Sequence, residues 1–212
     1  MKLTKFEHSC FVLEENGERL VVDPGEFSMS LNAAIPGVTA VVVTHVHSDH
    51  IDVKKIKQIL KQNPSAQLFT TAETAASHPE LPCIAVVAGD TRDVGQFHLE
   101  FFGGQHAVIY PDKPVFENVG IVINESVAYP GDSFVDPGKP VTVLLAPAAA
   151  PWLKIKEAVD YITAANAENI IPTHDAILSL EGKDLHDAHL RTAAELTGKT
   201  YTRLAAGKTL AV

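Results

Sequence analysis

The sequence predicts an α/β protein built as a layered sandwich, two β layers covered by helices, in a single domain over residues 1–212. Three observations carry this. Strand-rich stretches occur in both halves of the chain, and each passes into helix and then a further strand. Within each stretch the strands meander through turns before helix arrives, instead of alternating one for one as in a doubly wound sheet. The apolar fraction, 46% of 212 residues, is enough for a substantial core.

The elements follow in order. Residues 9–13 and 19–22 are β-rich, and Asn16-Gly17 between them tolerates positive φ at both positions, which predicts a hairpin. Asp23-Pro24-Gly25 is a turn, and residues 40–43 form an apolar strand. Asp52 is placed to cap a helix in which Val53, Ile56 and Leu60 recur at helical spacing. Lys54, Lys55, Lys57 and Lys61 are its wet face. Residues 66–69 read as strand, 71–77 as a short helix and 84–87 as strand; alternation returns over 91–102, and 106–109 and 119–123 continue the strand pattern. Residues 153–165 are helical with Ile155, Val159 and Ile162 on one side, 169–171 are a short strand, and 185–196 are a last helix. The run Ala146-Pro147-Ala148-Ala149-Ala150-Pro151 is a stiff connector expected to turn a corner, the alternative being that it lines a site.

Composition weighs against several classes. With 26 acidic against 17 basic residues and a formal charge of -9, the chain lacks the basic patch that a nucleic-acid partner requires. Cys10 and Cys83 are too few for a disulfide framework or a cysteine-rich zinc knuckle, so free thiols and a cytoplasmic location are expected. The N-terminus meets charge too early for a secretory apolar region, and no run approaches the roughly 20 apolar residues that cross a membrane.

The chemistry concentrates at Thr44-His45-Val46-His47-Ser48-Asp49-His50, directly after an apolar strand. Strand periodicity puts His45 and His47 on one face, and the following loop can carry Asp49 and His50 to a second position, so one segment can serve two metals. Imidazole and carboxylate suit zinc or another first-row ion. Further ligands are sought where other strands end: His106 after Gly103-Gly104-Gln105, His174 after Pro172-Thr173, and Asp132 in Tyr129-Pro130-Gly131-Asp132-Ser133, a carboxylate that can bridge two cations. His186 and His189 read as an exposed helix start, and His78 and His98 have no companions. Ser9, Ser48 and Ser133 sit in no nucleophile elbow.

On these residues the chain resembles the metallo-β-lactamase superfamily, and more loosely its small group of metal-dependent hydrolases that includes the ascorbate-phosphate lactonase type. The resemblance runs from His8 to His174. His45, His47, Asp49 and His50 look like the His-x-His-x-Asp-His signature; Phe6-Glu7-His8-Ser9-Cys10-Phe11 and Val21-Val22-Asp23-Pro24-Gly25 look like the opening of the small group. The resemblance implies an αββα fold of two mixed β-sheets flanked by helices. It also implies one metal on His45, His47 and His106, a second on Asp49, His50 and His174, and Asp132 bridging. An early histidine lies close to the metals in that group, which gives His8 a catalytic role beside Asp132 and Asp49, donating to substrate or leaving oxygen. Asp23 is expected to orient His45 or His47 by taking a ring N–H.

The expected activity is hydrolysis by a hydroxide that bridges two divalent ions, zinc first, with manganese, nickel or iron as alternatives. A small, anionic ester, lactone or phosphoester is the expected substrate, with no nucleic acid and no membrane partner, and a homo-oligomer allowed. A phosphodiesterase or thioesterase of the same superfamily, or a non-catalytic metal-binding protein, are the alternatives.

Overall fold

The computed structural model describes residues 1–112 and 114–212. Two seven-stranded sheets form the centre. In the first the order is β14 (Thr209–Ala211), β1 (Lys2–Lys5), β2 (Phe11–Glu15), β3 (Glu18–Val22), β4 (Val38–Val42), β5 (Gln67–Thr70) and β6 (Cys83–Ala85). In the second it is β13 (Thr200–Tyr201), β12 (Ala167–Thr173), β11 (Val141–Pro147), β10 (Val127–Tyr129), β9 (Glu117–Ile123), β8 (Phe97–Gln105) and β7 (Thr91–Val94). Both sheets are mixed: β1 to β3 and β7 to β10 pair antiparallel, while β3 to β6 and β10 to β13 pair parallel. Parallel neighbours need a crossover. The helices α1 (Val53–Gln62), α2 (Ala72–Ser77), α3 (Ile155–Ala164) and α4 (Leu180–Leu196) fall within those parallel halves.

Packing follows from the strand alternation. Leu13, Leu20 and Val42 of the first sheet and Leu99, Ile121 and Leu145 of the second share one buried cluster between the sheets. Val21, Val41 and Leu68 face the other way, onto Ile56 and Ile59 of α1. Leu144 and Ile170 pack outward on Ala158 and Ile162 of α3 and Leu190 of α4. The result is the αββα order of layers.

Local chemistry sets the element ends. Asp52 Oδ1 accepts from the Lys54 and Lys55 amides and starts α1. Asn16 and Gly17 take φ of 50° and 85° and make the expected hairpin. Four departures have physical causes. The 91–102 stretch divides into β7 and β8 because Gly95, at φ 56°, reverses the chain. Residues 106–109 are not a strand: the β8–β9 pairing ends at Gln105 opposite Glu117, His106 Nδ1 turns to the Ala107 carbonyl, and Val108 is left exposed. Strand β11 lies outside the strands expected from the sequence, and the connector expected only to turn a corner begins inside it, then presents the Ala148 and Ala149 carbonyls to His186 and His174. Helix α4 starts at Leu180, ahead of the expected 185, because Ser179 Oγ caps it by accepting from Gly182 N.

Candidate metal centre

Chain segments leaving β4, β8, β10 and β12 converge at one edge of the two sheets, and each carries charged or imidazole groups. After β4 the chain turns through His47, whose carbonyl accepts from the His50 and Ile51 amides, and this folds Asp49 and His50 back over the strand end. Gly25 makes room: a Cβ there would lie 1.9 Å from the Asp49 carbonyl oxygen. Gly131, at φ 64°, likewise lets the loop carrying Asp132 pass Asn118, whose Oδ1 accepts from Asp132 N.

Two groups of donor atoms result, each within 4.8 Å internally: His45, His47, His106 and Asp132 in one, His8, Asp49, His50 and His174 in the other. His45 Nε2 and His47 Nδ1 are 3.0 Å apart. Asp132 Oδ2 lies between the groups, 3.3 Å from His106 Nε2 and 3.0 Å from His174 Nε2, while Oδ1 is 3.1 Å from His50 Nε2. Asp49 Oδ2 is 3.3 Å from His174 Nε2 and 2.9 Å from His8 Nε2. Every site residue named from the sequence is therefore at this edge. His186 and His189 are not in either group; His186 Nδ1 instead donates to the Ala148 carbonyl.

Outer partners fix which nitrogens face inward. His50 Nδ1 donates to Asp23 Oδ2 at 2.6 Å, His106 Nδ1 to Ala107 O at 2.5 Å and His174 Nδ1 to Ala149 O at 2.6 Å. Thr44 Oγ1 donates to Asp23 Oδ2 at 2.8 Å, so it accepts from His45 Nδ1 at 3.0 Å. With the proton on Nδ1, Nε2 of each neutral ring is a bare lone pair. Asp23 takes the ring N–H of His50 and not that of His45 or His47, which corrects the expectation; it reaches His45 only through Thr44.

The atoms left over test whether a metal fits. His106 Nε2, His174 Nε2 and Asp132 Oδ1 are buried and make no well-aligned hydrogen bond; the polar atoms they face at 3.0–3.3 Å are those of the other candidate ligands, and a buried polar group left unsatisfied costs about 1–3 kcal/mol. Three such atoms meet at one place, and imidazole nitrogen with carboxylate oxygen is the donor set of first-row divalent ions. The residues fit.

Electrostatics point the same way. Burial alone would lower His50, but the Asp132 and Asp23 carboxylates outweigh it and hold the ring well above its ordinary value. Burial is likewise outweighed at His174, which Asp132 and Asp49 push up to about 9. Burial would raise Asp132, yet His50 and His174 hold it far below the carboxylate range. His45 is lowered well below 6.5 by burial and by His50, which Asp132 offsets only in part. Burial also takes His8 down to about 4 despite Asp49.

Several contributors carried no sequence signal. Trp152 Nε1 donates to Asp132 Oδ2 at 3.0 Å, Tyr129 Oη to Asp23 Oδ2 at 2.9 Å, and Asn118 braces the Asp132 loop. Phe116 meets His47 edge-on at 4.7 Å, and Phe27 meets His8 at 5.1 Å. Trp152, being the chain's one tryptophan beside a proline, had the best claim to notice.

Fold and site together define a class, a protein of two stacked sheets with a candidate metal centre at one edge. The family model described as the β-lactamase superfamily domain matches residues 2–174, and the chain belongs to that family. Protein Rv0786c of Mycobacterium tuberculosis is 40% identical over 195 residues, 90% of this chain and 91% of its own. A UPF0173 metal-dependent hydrolase of Aeropyrum pernix is 36% identical over 78 residues, 35% of this chain and 31% of its own. Among solved structures, Igni18, a metallo hydrolase of Ignicoccus hospitalis, superposes with a TM-score of 0.74 at 20% identity, covering 99% of this chain and 97% of that one. Among the described residues no helix is long and apolar enough to cross a membrane.

Proposed function

We propose that the centre holds two divalent ions, zinc being the first choice, and hydrolyses a small ester, lactone or phosphoester. The observation that carries this is the position of Asp132 Oδ2 between His106 Nε2 and His174 Nε2, one oxygen shared by two groups of donors. His45, His47 and His106 would hold one ion; Asp49, His50 and His174 the other; Asp132 both. When bound, such ions lower the pKa of water toward about 7 and polarise a substrate oxygen, which is hydrolytic chemistry.

The protein's own groups prepare the rest. Asp23, Thr44, Ala107 and Ala149 hold the Nδ1 protons outward, so each ring is already turned with Nε2 toward the centre. Trp152 holds the shared carboxylate, and the rings of Trp152, Phe116 and Phe27 stand against the candidate ligands or His8. Aromatic walls of this kind limit water and leave room for the body of a small substrate. A phosphodiester or thioester would use the same centre, and the net charge of -9 disfavours a long polyanion.

The test is metal content after gentle purification, then refilling of the metal-free chain with Zn²⁺ and a hydrolysis panel of lactones, phosphodiesters, thioesters and β-lactams. Two ions per chain and turnover on a small ester or lactone are expected. A saturating content of one ion, or RNA cleavage that exceeds every small-ester activity, would overturn the reading.

A further inference from the structure

His8 stands in the centre with its ring wired the opposite way from its neighbours. The Ala176 amide lies 3.2 Å from His8 Nδ1, and an amide N–H can only donate, so Nδ1 is the lone pair and the ring proton of the neutral imidazole is on Nε2. That N–H points at Asp49 Oδ2, 2.9 Å away. His50, His106 and His174 show the reverse arrangement, Nδ1 donating outward and Nε2 turned toward the centre.

Proximity alone would admit His8 as a ligand, because one donor atom from each of His8, Asp49, His50 and His174 fits within 4.8 Å. The wiring argues against it. A ring that bound an ion through Nε2 would carry its proton on Nδ1, and that proton would face the Ala176 N–H, donor against donor. Nor is the ring free to turn. The His8 carbonyl accepts from Lys5 Nζ at 2.5 Å and from His174 N at 3.1 Å, while its ring packs against His174 at 4.0 Å and Phe27 at 5.1 Å.

We propose that His8 is a positioning residue, a fixed N–H donor that holds Asp49 Oδ2 in place, and not a further imidazole ligand. The assignment rests on the two-ion reading above. It also explains why the N-terminal loop is buried here, since His8 ties the carboxylate that follows β4 to the 174–176 segment that follows β12. A hydrogen bond to a ligating carboxylate orients it and tunes its strength, and losing such a partner typically costs about 10–100-fold in metal affinity.

The experiment uses the full chain loaded with Zn²⁺, or with ¹¹³Cd²⁺ for ¹⁵N NMR, and the variants His8→Gln and His8→Ala. In the wild-type protein the His8 proton is expected on Nε2 both without and with metal, and no cadmium coupling is expected at His8 while His50 and His174 show it. In calorimetry His8→Ala should lose about 10–100-fold at one of two sites and leave the other unchanged. His8→Gln, whose amide N–H can reach Asp49 but which is no imidazole, should recover most of that loss. Cadmium coupling at His8, a proton on Nδ1, or His8→Gln as weak as His8→Ala would overturn the assignment. Should His8→Ala not fold, the wild-type spectra still decide. A wild-type chain that takes up a single ion would sink the two-ion reading, and the Nε2 proton, read on the metal-free protein, would still decide the role of His8.

Discussion

Asp23 Oδ2 and His50 Nδ1 lie 2.6 Å apart with both side chains fully buried, and the same oxygen also accepts from Thr44 Oγ1 and Tyr129 Oη. Three donors on one carboxylate oxygen fix the tautomer of His50 and, through Thr44, that of His45. Asp23→Asn would set an amide N–H against one or more of these donors. Its expected effect is a loss of about 10–100-fold in metal affinity. A lowered melting temperature is also expected in chelator, because a buried acceptor is lost. Zinc titration with thermal unfolding checks both; unchanged affinity would show that the tautomers are set elsewhere.

Asp132→Asn should keep the fold and lose most hydrolytic rate, with a larger drop in affinity than any outer partner gives, because an amide is a poor bridge between cations. Circular dichroism, metal content and turnover are to be read together. Retention of both ions with wild-type turnover counts against the bridging role.

Trp152 is a built-in reporter. It is the chain's one tryptophan, its N–H is on Asp132 Oδ2, and its ring centroid lies 5.8 Å from that of His106 and 6.2 Å from that of His174. Its emission should change as Zn²⁺ is titrated into metal-free protein and saturate with the calorimetric stoichiometry. Trp152→Phe keeps the packing against Phe134 but removes the donor, so metal affinity should fall with little change in melting temperature. Emission that ignores the metal would argue that the ions bind elsewhere.

The metal-free centre and the loaded one should respond to pH with opposite sign. His174 is raised from 6.5 to about 9 because Asp132 and Asp49 outweigh its burial. A raised imidazole contributes stability that is complete below about pH 6.5 and is lost as pH climbs through about 9, so the metal-free protein should melt at progressively lower temperature over that window. An ion must displace the same proton, so Zn²⁺ affinity should rise over the same window. Thermal unfolding in chelator and competition titrations from pH 6.5 to 9 measure the two slopes; a pH-independent affinity would mean that His174 gives up no proton on binding.

The sequence made the 44–50 segment legible because its ligands are contiguous, and strand period and turn chemistry act over a few residues. Asp132, His106 and His174 were legible as residues that follow apolar runs, and the Asn16-Gly17 hairpin and Asp52 cap as local signals. What stayed hidden is non-local. Tyr129 reaches Asp23 across 106 positions and Ala176 reaches His8 across 168, so no window of sequence contains either pair. The apolar stretch after His106 looked like a strand because hydrophobicity marks burial, whereas Val108 is exposed beside the site.

Three residues of the centre, His8, Asp23 and His174, hold φ of 60°, 45° and 57°, the left-handed region that glycine enters freely and other residues enter at roughly 1–2 kcal/mol each. Glycine at any of them would relax the backbone and delete a working side chain. At these three positions endurance and the chemistry of the centre pull apart: selection for thermal resistance alone would be drawn to glycine, while selection for the site must keep refusing the easier backbone.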